Sequence, residues 1–211
     1  MNKWNRTQRT IFFLTCVYIV GILGICAEVS RDQILLFTPL NLLFTTGMYL
    51  WSNEGLERQL FKASAIVALI GYFIEVAGVK TGVLFGSYYY GATLGPQVLE
   101  VPPTMALNWV LLSLSSFGIF FSWDINKYLK MALAAGLMVG LDYFIEPVAM
   151  GLDFWQWEGD VVPFKNYVMW FFTAYIIQFI LYKMLPSINQ KTSLFVFSLQ
   201  FVFFLIIKFF I

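Results

Sequence analysis

Apolar segments follow one another along almost the whole chain and leave only short polar connections between them. We place seven of them, at residues 11–27, 34–51, 61–79, 104–121, 129–147, 164–185 and 193–210. A transmembrane helix needs about 20 apolar residues. Only 12% of the residues are charged, whereas a soluble domain has about 25%. The sequence therefore predicts an all-α, polytopic integral membrane bundle of about seven transmembrane helices, in a single domain that covers residues 1–211.

Basic residues are unevenly distributed between the two ends of these segments. The connections on the side of the N-terminus contain nine lysines and arginines, including Lys3, Arg6 and Arg9, and those on the other side contain four. The positive-inside rule then predicts a multi-pass protein of the cell (plasma or inner) membrane with its N-terminus in the cytoplasm. Ile25 fits poorly at a signal-peptidase site after Ala27, so we expect the first segment to be retained.

Composition excludes several classes of chemistry. The chain has no histidine, which rules out histidine-ligated zinc, iron and haem sites and Ser-His-Asp triads. It contains no CxxC, Walker or GxGxxG motif, and its net charge of +1 offers no basic patch for nucleic acid. We therefore expect no metal, no cofactor and no nucleic-acid partner. Catalysis in the lipid bilayer would then depend on carboxylates, tyrosines, tryptophans and water.

Three acidic residues, Glu75, Asp142 and Glu146, lie in or at the ends of apolar segments. A carboxyl group in hydrocarbon is costly, so it is usually functional or paired. Asp142 and Glu146 are four residues apart and share one helix face. We expect Pro147 to end that helix. Asp142 lies one turn deeper and can stay protonated beside an ionised Glu146, and two such carboxyl groups form a general acid–base pair. The alternative for Glu75 and Glu146 is an interfacial position with hydrogen bonds to loop backbone.

Two long loops, at residues 80–103 and 148–163, follow these segments, and the predicted topology puts both on the outer side. Glycines in the first loop surround Phe85, Tyr88, Tyr89 and Tyr90. In the second, Trp155 and Trp157 alternate as they would on an extended strand. One interpretation is an aromatic belt at the headgroup level. The large number of rings and glycines beside the acids instead favours loops that form a lid, which covers a pocket open to lipid. The amides that can hold a water in such a pocket are Asn108, Asn166 and Gln178.

Two stretches resemble the signatures of a known family. They are EVAGVKTGVLFGSYYYGATLGPQVLEVPPTMALNW, residues 75–109, and LDYFIEPVAMGLDFWQWEGDVVPFKNYVMW, residues 141–170, about a third of the chain. Their order and content resemble the CruF-type carotenoid hydratase family of carotenoid biosynthesis proteins. Matching positions include Glu75, Gly82, Tyr88, Tyr90, Trp109, Asp142, Pro147, Trp155, Trp157 and Asn166. Two positions depart from the family pattern: Glu146 replaces an expected aspartate, and Val162 replaces an expected glycine.

The resemblance implies that water is added to the terminal double bond of an acyclic (psi) carotenoid end group, which gives a tertiary alcohol. Asp142 would deliver the proton, and Glu146 or Glu75 would position and deprotonate the water. We assign the substrate pocket to Tyr88, Tyr90, Trp109, Trp155, Trp157, Glu158 and Asn166. The implied partners are the lipid bilayer, a lipophilic carotenoid substrate and other enzymes of the carotenoid pathway.

Two other functions use the same residue types. A proton-initiated carotenoid cyclase would form the same cation, but a neighbouring alkene would capture it and the mass would not change. A proton-coupled membrane carrier would use the buried acids as a proton relay. Carriers often contain inverted repeats with sites near the midplane, whereas this sequence shows no repeat and its acids cluster towards one side.

Overall fold

The structure, a computed structural model, describes residues 4–27 and 30–211, so Lys3 lies outside the described residues. Those residues form eight α-helices, two short strands and one turn of 3₁₀ helix at Glu158–Asp160. The helices are α1 Arg6–Cys26, α2 Arg31–Leu35, α3 Thr38–Trp51, α4 Glu57–Thr81, α5 Thr104–Phe120, α6 Lys127–Gly151, α7 Phe164–Met184 and α8 Gln190–Ile207. The strands are β1 Tyr88–Tyr90 and β2 Trp155–Trp157.

The prediction of an all-α membrane bundle is confirmed. Five of the described helices, α1, α4, α6, α7 and α8, are long and apolar enough to cross a membrane, and α5 is a shorter apolar helix of 17 residues. The second predicted segment is divided into α2 and α3. Pro39 stands in the first turn of α3, and because proline has no backbone N–H it is well tolerated at the start of a helix but weakens a helix interior.

Local capping explains where several helices begin and end. The Asn5 side chain accepts a hydrogen bond from the backbone of Gln8, whose own side chain bonds back to Asn5. Asn126 and Asn189 cap α6 and α8 through the side-chain oxygen alone, which accepts from the backbone N–H of Tyr128 and of Thr192 respectively. Helix α4 ends at Gly82, which has a φ of 62° and so adopts the left-handed conformation that glycine tolerates best. The first aromatic loop therefore starts at Gly82.

Helix α5 lies at the centre of the bundle and packs against α3, α4, α6, α7 and α8. Every residue from Trp109 to Gly118 is buried, on all sides of the helix. The hydroxyls of Ser115 and Ser116 bond to the backbone carbonyls of Leu111 and Ser113, so these polar groups are satisfied inside an apolar core. A helix surrounded in this way holds the other elements in position around it.

The two ends of the bundle differ in chemistry. At one end, where α1, α4, α6 and α8 begin, Arg6 forms ion pairs with Glu54 and Glu57, and the Asn189 amide donates to Thr7. Both aromatic loops lie at the other end, where their strands β1 and β2 pair with each other. The two loops therefore lie at the same end of the bundle, as the alternating segments predicted. That the first end faces the cytoplasm stays a prediction.

One local prediction is wrong. Helix α6 does not end before Pro147 but continues through it to Gly151. The proline removes one helical hydrogen bond, but Val148 and Ala149 are fully buried in the core, and their packing keeps the last turn helical. Glu146 therefore lies inside the helix, more than a turn from its end, together with Asp142.

Candidate active site

The aromatic loops form a two-stranded antiparallel ribbon over the helix ends. Tyr88 pairs with Trp157, and Tyr90 pairs with Trp155. Because side chains alternate along a strand, these four rings share one face, and all four are buried. Tyr89, between the two tyrosines, points the other way and is 62% exposed. The ribbon therefore directs four aromatic rings towards the helices below it.

Glu75 of α4 is surrounded by donors from this ribbon and from α5. Its Oε2 accepts hydrogen bonds from the Tyr88 hydroxyl at 2.5 Å and from the Tyr90 hydroxyl at 2.8 Å. Its Oε1 accepts one from the Trp109 indole N–H at 2.9 Å. Glu75 is only 3% exposed, and three donors satisfy its two oxygens as a carboxylate. The acid thus fastens the first loop to the bundle.

Both tyrosines remain hydrogen-bond donors over a wide pH range. Burial, together with the nearby charge of Glu75, raises the pKa of the Tyr88 and Tyr90 hydroxyls above their ordinary value. A phenol that keeps its proton can donate to a carboxylate, whereas a phenolate cannot. Tyr88 and Tyr90 therefore keep the protons that their hydrogen bonds to Glu75 require.

Small residues in α4 make room for these aromatic contacts. Gly71 and Gly78 lie on the same helix face as Glu75, one turn before it and almost one turn after it. A side chain at Gly71 would overlap the Trp109 ring, and one at Gly78 would overlap Phe85. The two glycines thus allow the rings to reach the Glu75 carboxyl from either side.

Glu146 of α6 has a matching set of donors from the second strand. Its Oε2 accepts hydrogen bonds from the indole N–H groups of Trp155 and Trp157 at 2.9 and 2.7 Å. Its Oε1 accepts one from the side-chain nitrogen of Asn166, on α7, at 3.0 Å. An indole N–H can only donate, so the Oε2 that accepts from both indoles carries no proton. Three donors around its two oxygens therefore favour the carboxylate form of Glu146 in this arrangement.

Asp142, one turn away on α6, has a different environment. Its Oδ2 accepts a hydrogen bond from the Asn166 side-chain nitrogen at 3.2 Å. Among the described residues, no group donates to its Oδ1. Asp142 is 1% exposed, and a buried carboxyl with a single donor is the least stabilised of the three as an anion. It is the acid best placed to carry a proton.

A small cavity of about 20 Å³ lies among these groups, large enough for about one water molecule. Its lining consists of Glu75, Phe85, Tyr88, Tyr90, Met105, Asp142, Glu146, Trp155, Trp157, Asn166 and Trp170. A second, apolar cavity of about 350 Å³ lies beside it, between α1, α3, α5 and α8. Met105 and Trp155 line both cavities. These two side chains therefore form the wall between a polar chamber and an apolar one.

The structure brings most of the predicted site residues together. Eight of them line the small cavity: Glu75, Tyr88, Tyr90, Asp142, Glu146, Trp155, Trp157 and Asn166. Trp109 lies behind it, where its ring stacks on that of Trp170 at a centroid distance of 4.2 Å while its N–H holds Glu75. Glu158 is exposed just after β2 and does not line the cavity.

Three lining residues, Phe85, Met105 and Trp170, were missed as site residues from the sequence. Phe85 and Trp170 belong to the stretches that carry the family resemblance, so a signal for them was present. Met105 also lies in the first stretch but is not one of its family-matching positions, and a methionine in an apolar helix is typical of ordinary core. Of the amides suggested for holding a water, Asn166 is in the site, whereas Gln178 bonds to Ser113 and Ser116 elsewhere in the core.

An all-α membrane bundle with buried acids, an aromatic ribbon and an adjoining apolar cavity defines an integral membrane protein with a site for a lipophilic molecule. The sequence profile of the family described as carotenoid biosynthesis protein matches residues 37–211. The chain belongs to that family, and the resemblance stated from the two sequence stretches is confirmed.

A curated relative gives a narrower comparison. Bisanhydrobacterioruberin hydratase from Haloarcula japonica is 30% identical over 125 residues, which cover 54% of this chain and 42% of the relative. The match thus spans less than half of that protein. No solved structure matches the chain.

Proposed function

We propose that this protein is a carotenoid hydratase, which adds water to the terminal double bond of an acyclic carotenoid end group and forms a tertiary alcohol. Family membership and the name of the relative support a hydratase of carotenoids. The observation that carries the proposal is the contrast between Asp142, which has one donor and a free oxygen, and Glu146, whose two oxygens have three donors, beside a cavity for one water.

Asp142 is the general acid in this mechanism. Its proton forms a new C–H bond with the less substituted carbon of the alkene, and the electron pair of the double bond makes that bond. The other carbon becomes a tertiary cation. A correctly placed general acid or base typically contributes about 10²–10⁴-fold to the rate. No redox cofactor or metal is needed for this chemistry.

Aromatic rings stabilise the cation and exclude bulk water from it. Phe85, Tyr88, Trp157 and Trp170 line the chamber from several sides, and the face of an aromatic ring attracts a positive charge. Tyr88 and Trp157 lie close together, with ring centroids 4.9 Å apart. These rings hold the cation long enough for a single bound water to capture it.

Glu146 is the base that completes the addition. The water oxygen forms the new C–O bond to the tertiary cation, and the resulting oxonium gives one proton to the Glu146 carboxylate. The net change is one added water. The proton on Glu146 then returns to Asp142 before the next cycle. Asn166 bonds to both acids and is therefore a positioning residue. Glu75, held by three donors, positions Tyr88 and Tyr90.

The substrate end group must pass between the two cavities to reach the acids. The chamber holds about one water, and Met105 and Trp155 separate it from the apolar cavity. An unbranched methionine changes rotamer readily, so we assign the opening movement to Met105. With the N-terminus in the cytoplasm, this chamber lies near the outer leaflet.

Expression in a bacterial host that accumulates lycopene tests the proposal. Chromatography and mass spectrometry of the pigments should show a product heavier by one or two waters with an unchanged visible spectrum, because hydration leaves the conjugated chain intact. Asp142→Asn, at a matched level of protein in the membrane, should give no product. An isomer of unchanged mass with a blue-shifted spectrum would identify a cyclase instead. Unaltered pigment both here and in a monocyclic-carotene host would contradict the hydratase.

A further inference from the structure

The apolar cavity opens towards lipid on one side and meets the acid chamber on the other. Its lining is almost entirely apolar and includes Val20 and Phe37, which are both 59% exposed on the lipid-facing surface. At the inner side it shares Met105 and Trp155 with the chamber. Its volume of about 350 Å³ is within the range of ligand pockets. An apolar chain can therefore enter from the bilayer and direct its end to the acids.

Three amide side chains interrupt this apolar lining, and one of them, Asn41, accepts a hydrogen bond from the Thr45 hydroxyl. Gln200 of α8, which is 3% exposed, and the partly buried Asn108 of α5 both line the cavity. Neither amide hydrogen-bonds to any of the described residues. Gln178, another buried amide, donates to the Ser113 carbonyl at 3.1 Å and to the Ser116 hydroxyl at 3.0 Å, although its Oε1 has no partner among the described residues. Because polar groups inside proteins are usually paired, the amides of Gln200 and Asn108 are available to a group bound in the cavity.

The position of Asn108 relates this polar spot to the acid chamber. Asn108 follows Met105 by three residues on α5, so the two share a helix face about one turn apart, roughly 5 Å along the axis. Met105 is part of the wall through which a substrate end must pass. A chain that enters from the bilayer therefore runs past Asn108 just before it crosses that wall to the acids.

The chemistry of the lining selects the kind of group that fits. An amide both donates and accepts hydrogen bonds, as a hydroxyl does. None of the described residues that line the cavity is a lysine or an arginine, so a carboxylate or phosphate would find no counter-charge there. A plain hydrocarbon would leave both amides unpaired, which is unfavourable in an apolar chamber.

We propose that the apolar cavity binds the substrate chain, and that Asn108 and Gln200 hydrogen-bond a neutral oxygen, a hydroxyl or carbonyl, borne by that chain near its reacting end. The site should then bind an oxygenated isoprenoid more tightly than a pure hydrocarbon of the same length. This inference rests on the proposed function only for the identity of the end group that meets the acids. The binding of the chain in the cavity requires no turnover. A bound water offers the same hydrogen bonds as a substrate hydroxyl, and the experiment separates these two sources.

Competition binding to the purified protein in lipid nanodiscs tests this directly. Bound lycopene quenches tryptophan fluorescence, and the competing probes are geraniol, farnesol and geranylgeraniol, which place a hydroxyl at increasing distance from the same alkene end. Each is compared with its hydrocarbon analogue, in which a methyl group replaces the CH₂OH group. At one chain length we expect the alcohol to compete about 10-fold or more better than its analogue, equivalent to about 1.4 kcal/mol. Gln200→Leu and Asn108→Leu should remove that advantage and leave hydrocarbon binding unchanged.

Stability supplies the control. Gln200→Leu loses no hydrogen bond to the described residues, so its melting temperature should equal or exceed that of the native protein, whereas Gln178→Leu should lower it and keep the preference for the alcohol. If Gln200→Leu does not fold, Gln200→Met carries the same comparison.

Equal competition by alcohol and hydrocarbon at every length would overturn the proposal and assign the amides to water. An advantage that survives in both cavity variants would overturn it as well. An alcohol preference without any hydration activity would uphold this inference and refute the hydratase.

Discussion

Asp142 and Glu146 are joined by one side-chain nitrogen, that of Asn166, which lies 3.2 Å from Asp142 Oδ2 and 3.0 Å from Glu146 Oε1. An amide nitrogen has two hydrogens, so it can serve both acids at once. The bridge comes from α7, whereas both acids are on α6. It fixes the relative position of the proposed acid and base from outside their own helix.

Removing this bridge should impair turnover more than folding. In Asn166→Leu the side chain keeps a similar size but donates nothing, so neither acid is held in place. We expect kcat for hydration to fall by about 10²-fold, the lower limit for a misplaced acid–base pair, with little change in KM. Steady-state kinetics in nanodiscs would measure both constants. A variant that loses thermal stability but retains kcat would show that Asn166 is only structural.

The Trp157 indole should contribute to stability through its N–H. Trp157→Phe keeps an aromatic ring but leaves Glu146 Oε2 with one indole donor in place of two. A hydrogen bond to a charged group is worth about 1.5–3 kcal/mol, and the free energy of unfolding should fall by about that amount in a reversible denaturation experiment. Trp123→Phe is the control, since Trp123 is 49% exposed near the opposite end of the bundle. Equal losses in the two variants would contradict the assignment.

Gly71 should tolerate no side chain. Gly71→Ala would place a methyl group within the Trp109 ring, and overpacking of this kind costs about 1–3 kcal/mol. The displaced indole would also lose its bond to Glu75. Gly136→Ala is the matched control, because Gly136 is also inside a helix but has no neighbouring atoms within 4 Å of its added methyl group. Thermal melting should separate the two variants, and a Gly71→Ala protein as stable as Gly136→Ala would refute the close approach.

Alkaline pH should destabilise the protein through Tyr88 and Tyr90. The pKa of each hydroxyl is raised in the folded state, so below pH about 10 both states are protonated and stability is unaffected. Above that pH the unfolded chain loses these protons first, and each tyrosine should lower the stability by about 1.4 kcal/mol per pH unit.

The difference between native protein and Tyr88→Phe isolates the contribution of one hydroxyl. Denaturation at pH 9 to 11 should show a shallower decline for Tyr88→Phe than for the native protein. Tyr89→Phe should behave like the native protein, because Tyr89 is exposed on the other face of the strand. A decline of equal slope in all three proteins would contradict the buried position of the Tyr88 hydroxyl.

Much of the site was predictable because it depends on the spacing of nearby residues and on the cost of burying a carboxyl group. Carboxyls within apolar segments signal function, and the four-residue spacing of Asp142 and Glu146 puts them on one helix face in any helical fold. The alternation of Trp155 and Trp157 predicted an extended segment, which is β2. The prediction that Pro147 ends its helix was wrong, since burial of the residues after it outweighs the local cost of the proline.

The apolar helices, the three acids and the two aromatic loops could be read from the amino-acid order, because each depends on residues close together in the chain. Which donor bonds to which acid depends on the tertiary structure, since Trp109 reaches Glu75 across 34 residues and Asn166 reaches Asp142 across 24. The tertiary structure also decided that Glu158 stays outside and that Gln200 faces an apolar cavity. Such pairings arise from the packing of distant helices, and no local pattern records which face of one helix meets another.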